Sequence, residues 1–326
     1  MKVLVTGADG FVGRWLIRRL LDDGRTVSGA VRPAQAPPPG PGGAGRGTWD
    51  LTAEEKSAVR WLPLELTDET SVRKCLELPY HAVVHLAAVS SRVEAQRDPG
   101  TTWNVNAAGT ARIADVLAEH KQTGHADPLL LVVSSADVYG CGPPVPRKET
   151  DPIAPMSTYA ASKVGAEQAA LEAWRRTGLR VVVARPFPHT GPGQDGRFVV
   201  PSFCQRLTLA KRIGAPVVKV GNLEPVRECL HVQDVVDAYA RLLAKGQPGE
   251  TYNIAGGQGL SLEEVLFRLA ELVGVRPIPE VDPDLIRAAD IPYLVGDGAK
   301  LRAATGWAPR HSLDDTLRDV LDAQAA

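Results

Sequence analysis

Apolar runs that alternate with amphipathic stretches fill the first half of the chain. Short hydrophobic runs predict buried parallel strands at residues 2–5, 26–31, 60–66, 82–86, 129–133 and 180–184. Apolar residues at helical spacing predict helices, of which the clearest cover residues 11–21, 101–120 and 157–177. Strands that alternate with helices indicate an α/β fold built on a doubly wound, parallel Rossmann sheet.

The pattern becomes less regular after the sixth predicted strand. Shorter elements are predicted at residues 217–221, 232–244, 250–254, 262–272 and 313–321. Ser261 and Glu264 have the spacing of a helix-initiating capping box. We expect a cofactor-binding Rossmann domain at residues 1–185 and a smaller, mixed α/β substrate lobe at residues 186–326. A segment near residues 225–250 is expected to return to the first domain.

A glycine-rich turn directly follows the first predicted strand. Gly7, Gly10 and Gly13 have the spacing G-x-x-G-x-x-G, and Phe11 and Val12 open the following helix. In such a turn the first glycine permits the tight bend, the second lets the backbone approach a pyrophosphate, and the third lets helix and strand pack closely. The helix N-terminus offers N–H groups to the same anion. These five residues therefore predict a dinucleotide site.

The end of the second strand bears on which cofactor is bound. An acidic residue at this place pairs with the ribose of NAD, whereas an arginine accommodates the 2′-phosphate of NADP. The strand ends at Arg32, with no Asp or Glu nearby, so the sequence favours NADP(H) over NAD(H). Residues 33–48 are mostly Pro, Gly and Ala, which predicts a flexible surface loop.

Further cofactor contacts are expected where the third and fourth strands end. Ligands of open α/β sheets bind at the carboxyl ends of the strands, and small residues there leave room for them. The predicted contacts are Glu65, Leu66, Leu86, Ala87 and Ala88.

Composition narrows the class of protein. The 326 residues are 44% hydrophobic, and the net charge of −1 provides no basic field for nucleic acid or an anionic membrane. No apolar run approaches the roughly 20 residues that span a bilayer, and Met1 leads directly into the first strand. The cysteines lack metal-ligand spacing, so we expect free thiols and no metal site. These features predict a soluble cytoplasmic protein.

Three residues predict the chemistry. Tyr159 and Lys163 stand four apart on a predicted helix and therefore share a face, and Ser135 follows the fifth strand. The trio suits reduction of a carbonyl, in which the cofactor gives hydride and Tyr159 gives a proton to the oxygen. Ser135 is expected to hold the developing charge. Lys163 is expected to lower the pKa of Tyr159 and to bond the nicotinamide ribose.

Several strings identify a resemblance to a family. "TGADGFVG", "HLAA", "SSADVYG" and "YAASK" resemble the extended short-chain dehydrogenase/reductases, which include nucleotide-sugar epimerases, dehydratases and reductases. "RPFPHTGPGQDGRFVVPSF", "VGNLEPVRECLHVQDVVDAY" and "RAADIPYLVGDGAKLRAATGW" look most like the GDP-4-keto-6-deoxymannose reductases, which make GDP-rhamnose. The resemblance implies an NADP(H)-dependent reductase of a nucleotide-activated deoxysugar. It also implies a homodimer formed through the helices at residues 101–120 and 157–177.

The resemblance also implies further site residues. It places Pro186 and His189 beside the nicotinamide, although the His189 ring is also suited to cap its own turn. It implies substrate contacts at Ser90, Asp137, Arg227 and Arg287. A structural hydrogen bond is an alternative role for Asp137, and a surface salt bridge is the alternative for each arginine.

Departures from the family pattern leave the substrate open. Related dehydratases carry Glu where this chain has Asp137, and some carry an acid where it has Ala136, so reduction or epimerisation is favoured over elimination. Pro188 replaces an Asn that helps to bind a diphosphate, and proline has no donor to take its place. An NAD(H)-retaining epimerase and a ketone reductase of secondary metabolism remain alternatives. A cofactor-sensing regulator is disfavoured, because both Tyr159 and Lys163 are kept.

Overall fold

The computed structural model describes residues 1–33, 50–286 and 290–325. Its strands are β1 (Lys2–Thr6), β2 (Thr26–Val31), β3 (Arg60–Pro63), β4 (Ala82–His85), β5 (Leu129–Val133), β6 (Arg180–Pro186), β7 (His189–Thr190), β8 (Val217–Val220), β9 (Val226–Arg227), β10 (Leu230–His231), β11 (Thr251–Ile254), β12 (Leu260–Ser261), β13 (Ile278–Val281) and β14 (Tyr293–Leu294). Apart from Pro33, the loop predicted at residues 33–48 lies outside the described residues.

The helices lie mainly between the strands. They are α1 (Phe11–Asp22), α2 (Ala53–Ala58), α3 (Glu69–Leu76), α4 (Arg92–Arg97), α5 (Pro99–Trp103), α6 (Gly109–Gln122), α7 (Thr158–Thr177), α8 (Val199–Ile213), α9 (Val232–Lys245), α10 (Leu262–Val273), α11 (Ala299–Thr305) and α12 (Leu313–Ala325). A π-helical turn spans Asn104–Ala108, and 3-10 turns span Ala136–Tyr139 and Pro283–Leu285.

Seven strands of the described chain form one parallel sheet in the order β11-β6-β5-β4-β1-β2-β3. The strand order reverses between β1 and β4, and this switch point opens a crevice at their carboxyl ends. The doubly wound Rossmann class predicted from the sequence is confirmed. The bounds of β2 and β5 agree with the apolar runs that predicted them.

Two helical layers cover the sheet. Apolar residues of α1 and α9 pack on one face, and those of α3, α6 and α7 pack on the other. Strands of a doubly wound sheet are buried on both faces, which explains why they appear in the sequence as continuous hydrophobic runs. The layers fix the two elements that carry the candidate site, the end of β5 and the start of α7.

The third strand is shorter than predicted. It ends at Pro63 rather than at Leu66, because it is an edge strand and its partner β2 ends at Val31, which pairs with Pro63. The predicted helix at residues 101–120 is also interrupted. The π-helical turn lies between α5 and α6, and within it the Asn106 amide clamps the backbone of Val89.

The C-terminal half contributes both to this sheet and to a separate core. Strand β11 pairs with β6, and α9 packs against α1. Helices α8, α10 and α12 enclose an apolar cluster with the two-stranded sheet of β8 and β13. Ser261 caps α10 with Glu264, as its spacing predicted. None of the described helices is long and apolar enough to cross a membrane.

Candidate active site

The glycine turn closes tightly between β1 and α1. Gly7 has φ +65°, and a Cβ there would lie 2.9 Å from the backbone nitrogen of Ala87. A Cβ on Gly13 would clash with the carbonyl oxygen of Gly7 and lie 2.8 Å from that of Ala8. Helix α1 begins after Gly10 with no side-chain cap and no acidic residue in its first turn. Its first N–H groups are therefore suited to bind a phosphate.

A hydrogen-bonded chain fixes this turn against the end of β4. The Ala87 N–H donates to Thr6 Oγ1 (3.1 Å), and Thr6 Oγ1 lies 2.8 Å from His85 Nδ1. His85 Nε2 lies 3.1 Å from Thr110 Oγ1. Burial, and then the charge of Lys163, lower the pKa of His85 to about 3, so the ring is neutral. Sequence analysis missed this histidine, which lies at the strand end just before the predicted "LAA" contacts.

The predicted adenosine end brings Arg32 close to Glu65. Arg32 is exposed at the end of β2, and its charge acts on the Glu65 carboxylate. Glu65 Oε1 accepts from both the backbone N–H (3.0 Å) and the hydroxyl (2.7 Å) of Thr67. These hydrogen bonds, more than Arg32, lower the pKa of Glu65. Leu66 is buried, whereas the other predicted contacts on this side are half-buried: Leu86, Ala87 and Ala88.

The three predicted catalytic residues meet at the carboxyl end of β5. Ser157 caps the N-terminus of α7, which places Tyr159 in its first turn. The Ser135 hydroxyl faces that of Tyr159 and acts on its pKa. Lys163 is one turn further along α7, and its Nζ donates to the carbonyl oxygen of Val133 (2.8 Å). Ser135 and Lys163 are thus both held at the carboxyl end of β5.

The acidity of Tyr159 differs from the expectation. Burial raises the pKa of Tyr159 to about 12, and the charge of Asp137 adds to this rise. The hydrogen bond from Ser135 and the charge of Arg92 act in the opposite direction. Lys163 is not among the groups that shift the pKa of Tyr159: its ammonium is directed to the sheet backbone, and burial lowers its own pKa to about 8. The expected lowering of the Tyr159 pKa by Lys163 is therefore wrong for this structure.

Arg92 is the charged residue that sequence analysis missed at this site. Its Nε and Nη2 lie 2.8 Å and 2.6 Å from Asp137 Oδ2. Asp137 is buried, and its carboxylate is engaged in this pair, which agrees with the structural alternative for that residue. The sequence signal that could have found Arg92 was its position two residues after the predicted substrate contact Ser90. Ser90 is exposed in the structure.

Two arginines, Arg227 and Arg287, are predicted to bind a phosphate of the substrate. Arg227 Nη2 donates to Asp290 Oδ1 (2.7 Å), and the pair is mostly buried. Arg287 lies outside the described residues. A role of either arginine in binding substrate stays a prediction.

His189 packs against the start of α1. Its Nδ1 lies 2.9 Å from the carbonyl oxygen of Phe187. The ring therefore caps its own turn, which is the alternative role predicted from the sequence. The ring is stacked on that of Phe11, with centroids 6.3 Å apart. Pro186 is the last residue of β6 and pairs with Ile254 of β11. Contact of Pro186 or His189 with a cofactor stays a prediction.

A buried ion pair joins α7 to β6. Arg185 Nε and Nη2 donate to the two oxygens of Glu167 (2.9 and 2.7 Å). Arg185 Nη1 also donates to the Tyr139 hydroxyl (3.0 Å), which in turn donates to Asn253 Oδ1 (2.7 Å). The network joins β6, β11 and the turn after β5 to the helix that carries Tyr159.

We expect Glu167→Gln to destabilise the protein by about 3 kcal/mol, because it leaves the Arg185 charge buried and uncompensated. Glu172→Gln is the matched control on the same helix, since Glu172 pairs with Arg176 at an exposed site. Its loss is expected to be below about 0.5 kcal/mol. Urea denaturation measures both. Equal losses for the two variants would contradict this role of the buried pair.

Sequence similarity assigns the chain to a family. The family model for GDP-mannose 4,6 dehydratase matches residues 4–320. The chain belongs to the GDP-mannose 4,6-dehydratase family. It is 37% identical to the GDP-6-deoxy-D-mannose reductase of Pseudomonas aeruginosa over 248 residues, which are 75% of this chain and 80% of that protein. It is 30% identical to the UDP-glucose 4-epimerase of Mycolicibacterium smegmatis over 328 residues, 99% of this chain and 98% of the epimerase.

Structural similarity extends over the full fold. A solved structure of RMD from Pseudomonas aeruginosa complexed with NADPH matches with a TM-score of 0.80 and 31% identity, covering 99% of this chain and 98% of that chain. The resemblance to the extended short-chain dehydrogenase/reductases is confirmed. Members of this family are NAD(P)-dependent oxidoreductases, and this chain is an enzyme of that type.

Proposed function

We propose that this protein is an NADP(H)-dependent reductase that transfers hydride to the 4-keto group of a nucleotide-activated deoxysugar similar to GDP-4-keto-6-deoxymannose. The observation that carries the proposal is the convergence of Ser135, Tyr159 and Lys163 at the carboxyl end of β5. The similarity to GDP-6-deoxy-D-mannose reductase supports the choice of substrate class. The family relative complexed with NADPH supports the choice of cofactor.

The proposed chemistry is a proton transfer coupled to hydride delivery. A bound NADPH supplies the hydride to the carbonyl carbon. Tyr159 donates its phenolic proton to the carbonyl oxygen, and the Ser135 hydroxyl donates a hydrogen bond to the same oxygen as negative charge develops there. Lys163 is proposed to hold the nicotinamide ribose, and the position of its Nζ at the end of β5 supports this role.

The residues after β5 argue against a dehydratase. Elimination of water needs a free base beside the sugar ring. Ala136 has no acid–base group, and Asp137 is bound by both Nε and Nη2 of Arg92. Neither of these two residues therefore offers a free base for elimination, whereas Ser135 and Tyr159 are available for carbonyl reduction.

The glycine turn fits a dinucleotide. Neighbouring backbone atoms leave no space for a Cβ at Gly7 or Gly13, so the turn is as tight as a pyrophosphate site requires. The first turn of α1 offers uncapped N–H groups. Ser134 Oγ and Tyr239 Oη, near the end of β5 and on α9, are buried polar atoms without a hydrogen-bond partner among the described residues. The residues proposed to hold the cofactor are Gly7, Gly10, Phe11, Val12, Gly13, Arg32, Glu65, Leu66, Leu86, Ala87, Ala88, Tyr159, Lys163, Pro186 and His189.

We expect Arg32→Ala to reduce the preference for NADPH over NADH by about 10- to 100-fold, because a charge-assisted hydrogen bond to the 2′-phosphate is lost. The Kd of NADH is expected to change little. Arg60→Ala is the matched control, since Arg60 lies at the amino end of the neighbouring strand β3, away from the crevice. Fluorescence titration with both cofactors measures the ratio. An unchanged ratio in Arg32→Ala would refute the assignment.

The proposed reaction is tested by supplying the purified protein with NADPH and GDP-4-keto-6-deoxymannose. Consumption of NADPH equal to the substrate added, with a 4-hydroxy product identified by NMR, is the expected result. UDP- and dTDP-linked keto sugars are run in parallel to define the nucleotide. Failure of all of them to be reduced would refute the proposal.

Two alternatives rest on specific observations. The full-length similarity to a UDP-glucose 4-epimerase favours epimerisation, in which the cofactor stays bound and no net NADPH is consumed. Pro188 favours a non-sugar ketone, because the residue offers no donor to a diphosphate, and its carbonyl oxygen is bonded to the Leu230 N–H (3.1 Å). Absence of binding by GDP, UDP and dTDP would support the second alternative.

Assembly, location and domain division are part of the same proposal. We propose a homodimer formed through α6 and α7. The exposed side chain of Trp103, which lies against Gly165 of α7, supports such an interface. Four free cysteines support a reducing, cytoplasmic location. The separate apolar cluster of α8, α10 and α12 supports a substrate lobe within residues 186–326.

A further inference from the structure

Arg92 is a charged residue at the candidate site to which the reduction scheme gives no role. It is the first residue of α4, yet its guanidinium reaches the turn after β5, where Nε donates to Asp137 Oδ2 (2.8 Å) and Nη2 forms an ion pair with the same oxygen (2.6 Å). Asp290, from the C-terminal half, acts on the same guanidinium. Asp290 in turn accepts from Arg227 (2.7 Å). Two carboxylates from different halves of the chain therefore act on the charge of Arg92.

The Arg92 contact leads to the reacting hydroxyl groups. Asp137 is the second residue of the 3-10 turn after β5, and its backbone N–H donates to Ser135 Oγ (3.2 Å). The Ser135 hydroxyl faces that of Tyr159 and acts on its pKa. We propose that Arg92 is a positioning residue of the reduction, which acts through Asp137 on Ser135 and Tyr159. This inference rests on the reductase function proposed above.

The charge balance gives the physical reason. When Tyr159 donates its proton, a phenolate develops beside the Asp137 carboxylate, whose side chain is only 12% exposed. Two buried negative charges side by side repel strongly, and a guanidinium paired with one of them removes most of that repulsion. Lys163 does not do this in the structure, because its Nζ is bonded to Val133. Arg92 is the cation that offsets Asp137.

Further titratable and charged groups surround the pair of Arg92 and Asp137. Among the described residues these are Tyr239 on α9 and Asp290, which pairs with Arg227 in the C-terminal half, while Lys163 lies one turn beyond Tyr159 on α7. Tyr239 carries no charge at neutral pH, since burial raises its pKa well above the ordinary value. Asp290 and Arg227 offset one another. The uncompensated effect of losing Arg92 would therefore fall on Asp137.

The same guanidinium borders a small, partly open pocket at the start of α7. A cavity of about 10 Å³, enough for about one water molecule, is lined by Arg92, Asp137, Met156, Ser157 and Ile291. Removing the Arg92 side chain would let water reach the Asp137 carboxylate and would free that carboxylate to turn towards Ser135. Either the added water or the turned carboxylate would displace the hydroxyl groups of Ser135 and Tyr159.

Steady-state kinetics of four proteins test the proposal: wild type, Arg92→Gln, Asp137→Asn and the double variant. We expect Arg92→Gln to lower kcat on the order of 100-fold, as small displacements of reacting groups do. The Kd of NADPH is expected to stay within about threefold, because Arg92 is not among the proposed cofactor contacts. Asp137→Asn is expected to lower kcat by a smaller factor than Arg92→Gln does. The double variant is expected to be about 10-fold faster than Arg92→Gln, because the unpaired carboxylate is gone.

Arg97→Gln is the matched control, since Arg97 is exposed at the far end of the same helix. It is expected to keep wild-type kcat. A merely structural Arg92 would make the double variant as slow as Arg92→Gln or slower, and that result, like a wild-type kcat in Arg92→Gln, would overturn the proposal. Where circular dichroism shows that Arg92→Gln is unfolded, Arg92→Lys with and without Asp137→Asn is compared in the same way.

The test separates this inference from the proposed function. If the wild-type protein reduces no nucleotide-activated keto sugar, the function is refuted. The same variants are then compared with an activated aromatic diketone as substrate, whose reduction needs the same proton donor. Recovery of that rate by Asp137→Asn in the Arg92→Gln background supports the role of Arg92, and lack of recovery overturns it.

Discussion

Tyr159→Phe is expected to lower kcat for reduction of the keto sugar by about 10³-fold, within the range that loss of a general acid produces. The hydroxyl that is removed is the one that faces Ser135. Because the raised pKa keeps Tyr159 protonated at neutral pH, the residue is in the form that donates. NADPH oxidation and a separate fluorescence titration measure kcat and cofactor affinity.

Tyr80→Phe is the matched control for this variant. Tyr80 is buried and precedes β4 at the amino end of the strand, so the same chemical change is made far from the site. Its kcat is expected to equal that of the wild type. Undiminished reduction by Tyr159→Phe would remove the proton donor from the mechanism, even if the family assignment stands.

Gly13→Ala is expected to abolish the stabilisation of the protein by NADPH and to lower its stability by about 1–3 kcal/mol. The added methyl group would clash with the carbonyl oxygen of Gly7 and lie 2.8 Å from that of Ala8. Both atoms are backbone and cannot move without opening the turn. Since the turn forms the proposed pyrophosphate site, its opening removes the N–H groups from the position in which they bind phosphate. Thermal unfolding with and without NADPH measures both effects.

Gly100→Ala tests whether any helical glycine would give this result. An added Cβ there lies 3.8 Å from Asp98 Oδ1, an ordinary contact, so the variant should keep the wild-type shift with NADPH. A wild-type shift in Gly13→Ala as well would show that the turn does not bind the cofactor.

Local patterns in the sequence were sufficient for the fold class and for placing the three predicted catalytic residues at one strand end. A parallel strand buried on both faces is a run of apolar residues, so β2 and β5 could be bounded from the sequence alone. Tyr159 and Lys163 are one helical turn apart, and Ser135 follows a strand, so their meeting depends only on periodicity and on the carboxyl-end rule. These inferences use neighbours in the chain.

The tertiary structure alone decided which charges meet. Arg92 and Asp137 are 45 residues apart, and Arg185 and Glu167 are 18 apart on a strand and a helix. No periodic pattern links such residues, because their contact depends on how far one element projects over another. The same holds for the acidity of Tyr159. Burial and Asp137 determine its pKa, whereas the sequence pointed to Lys163, whose ammonium is directed to the backbone of Val133 by the packing of α7 on β5.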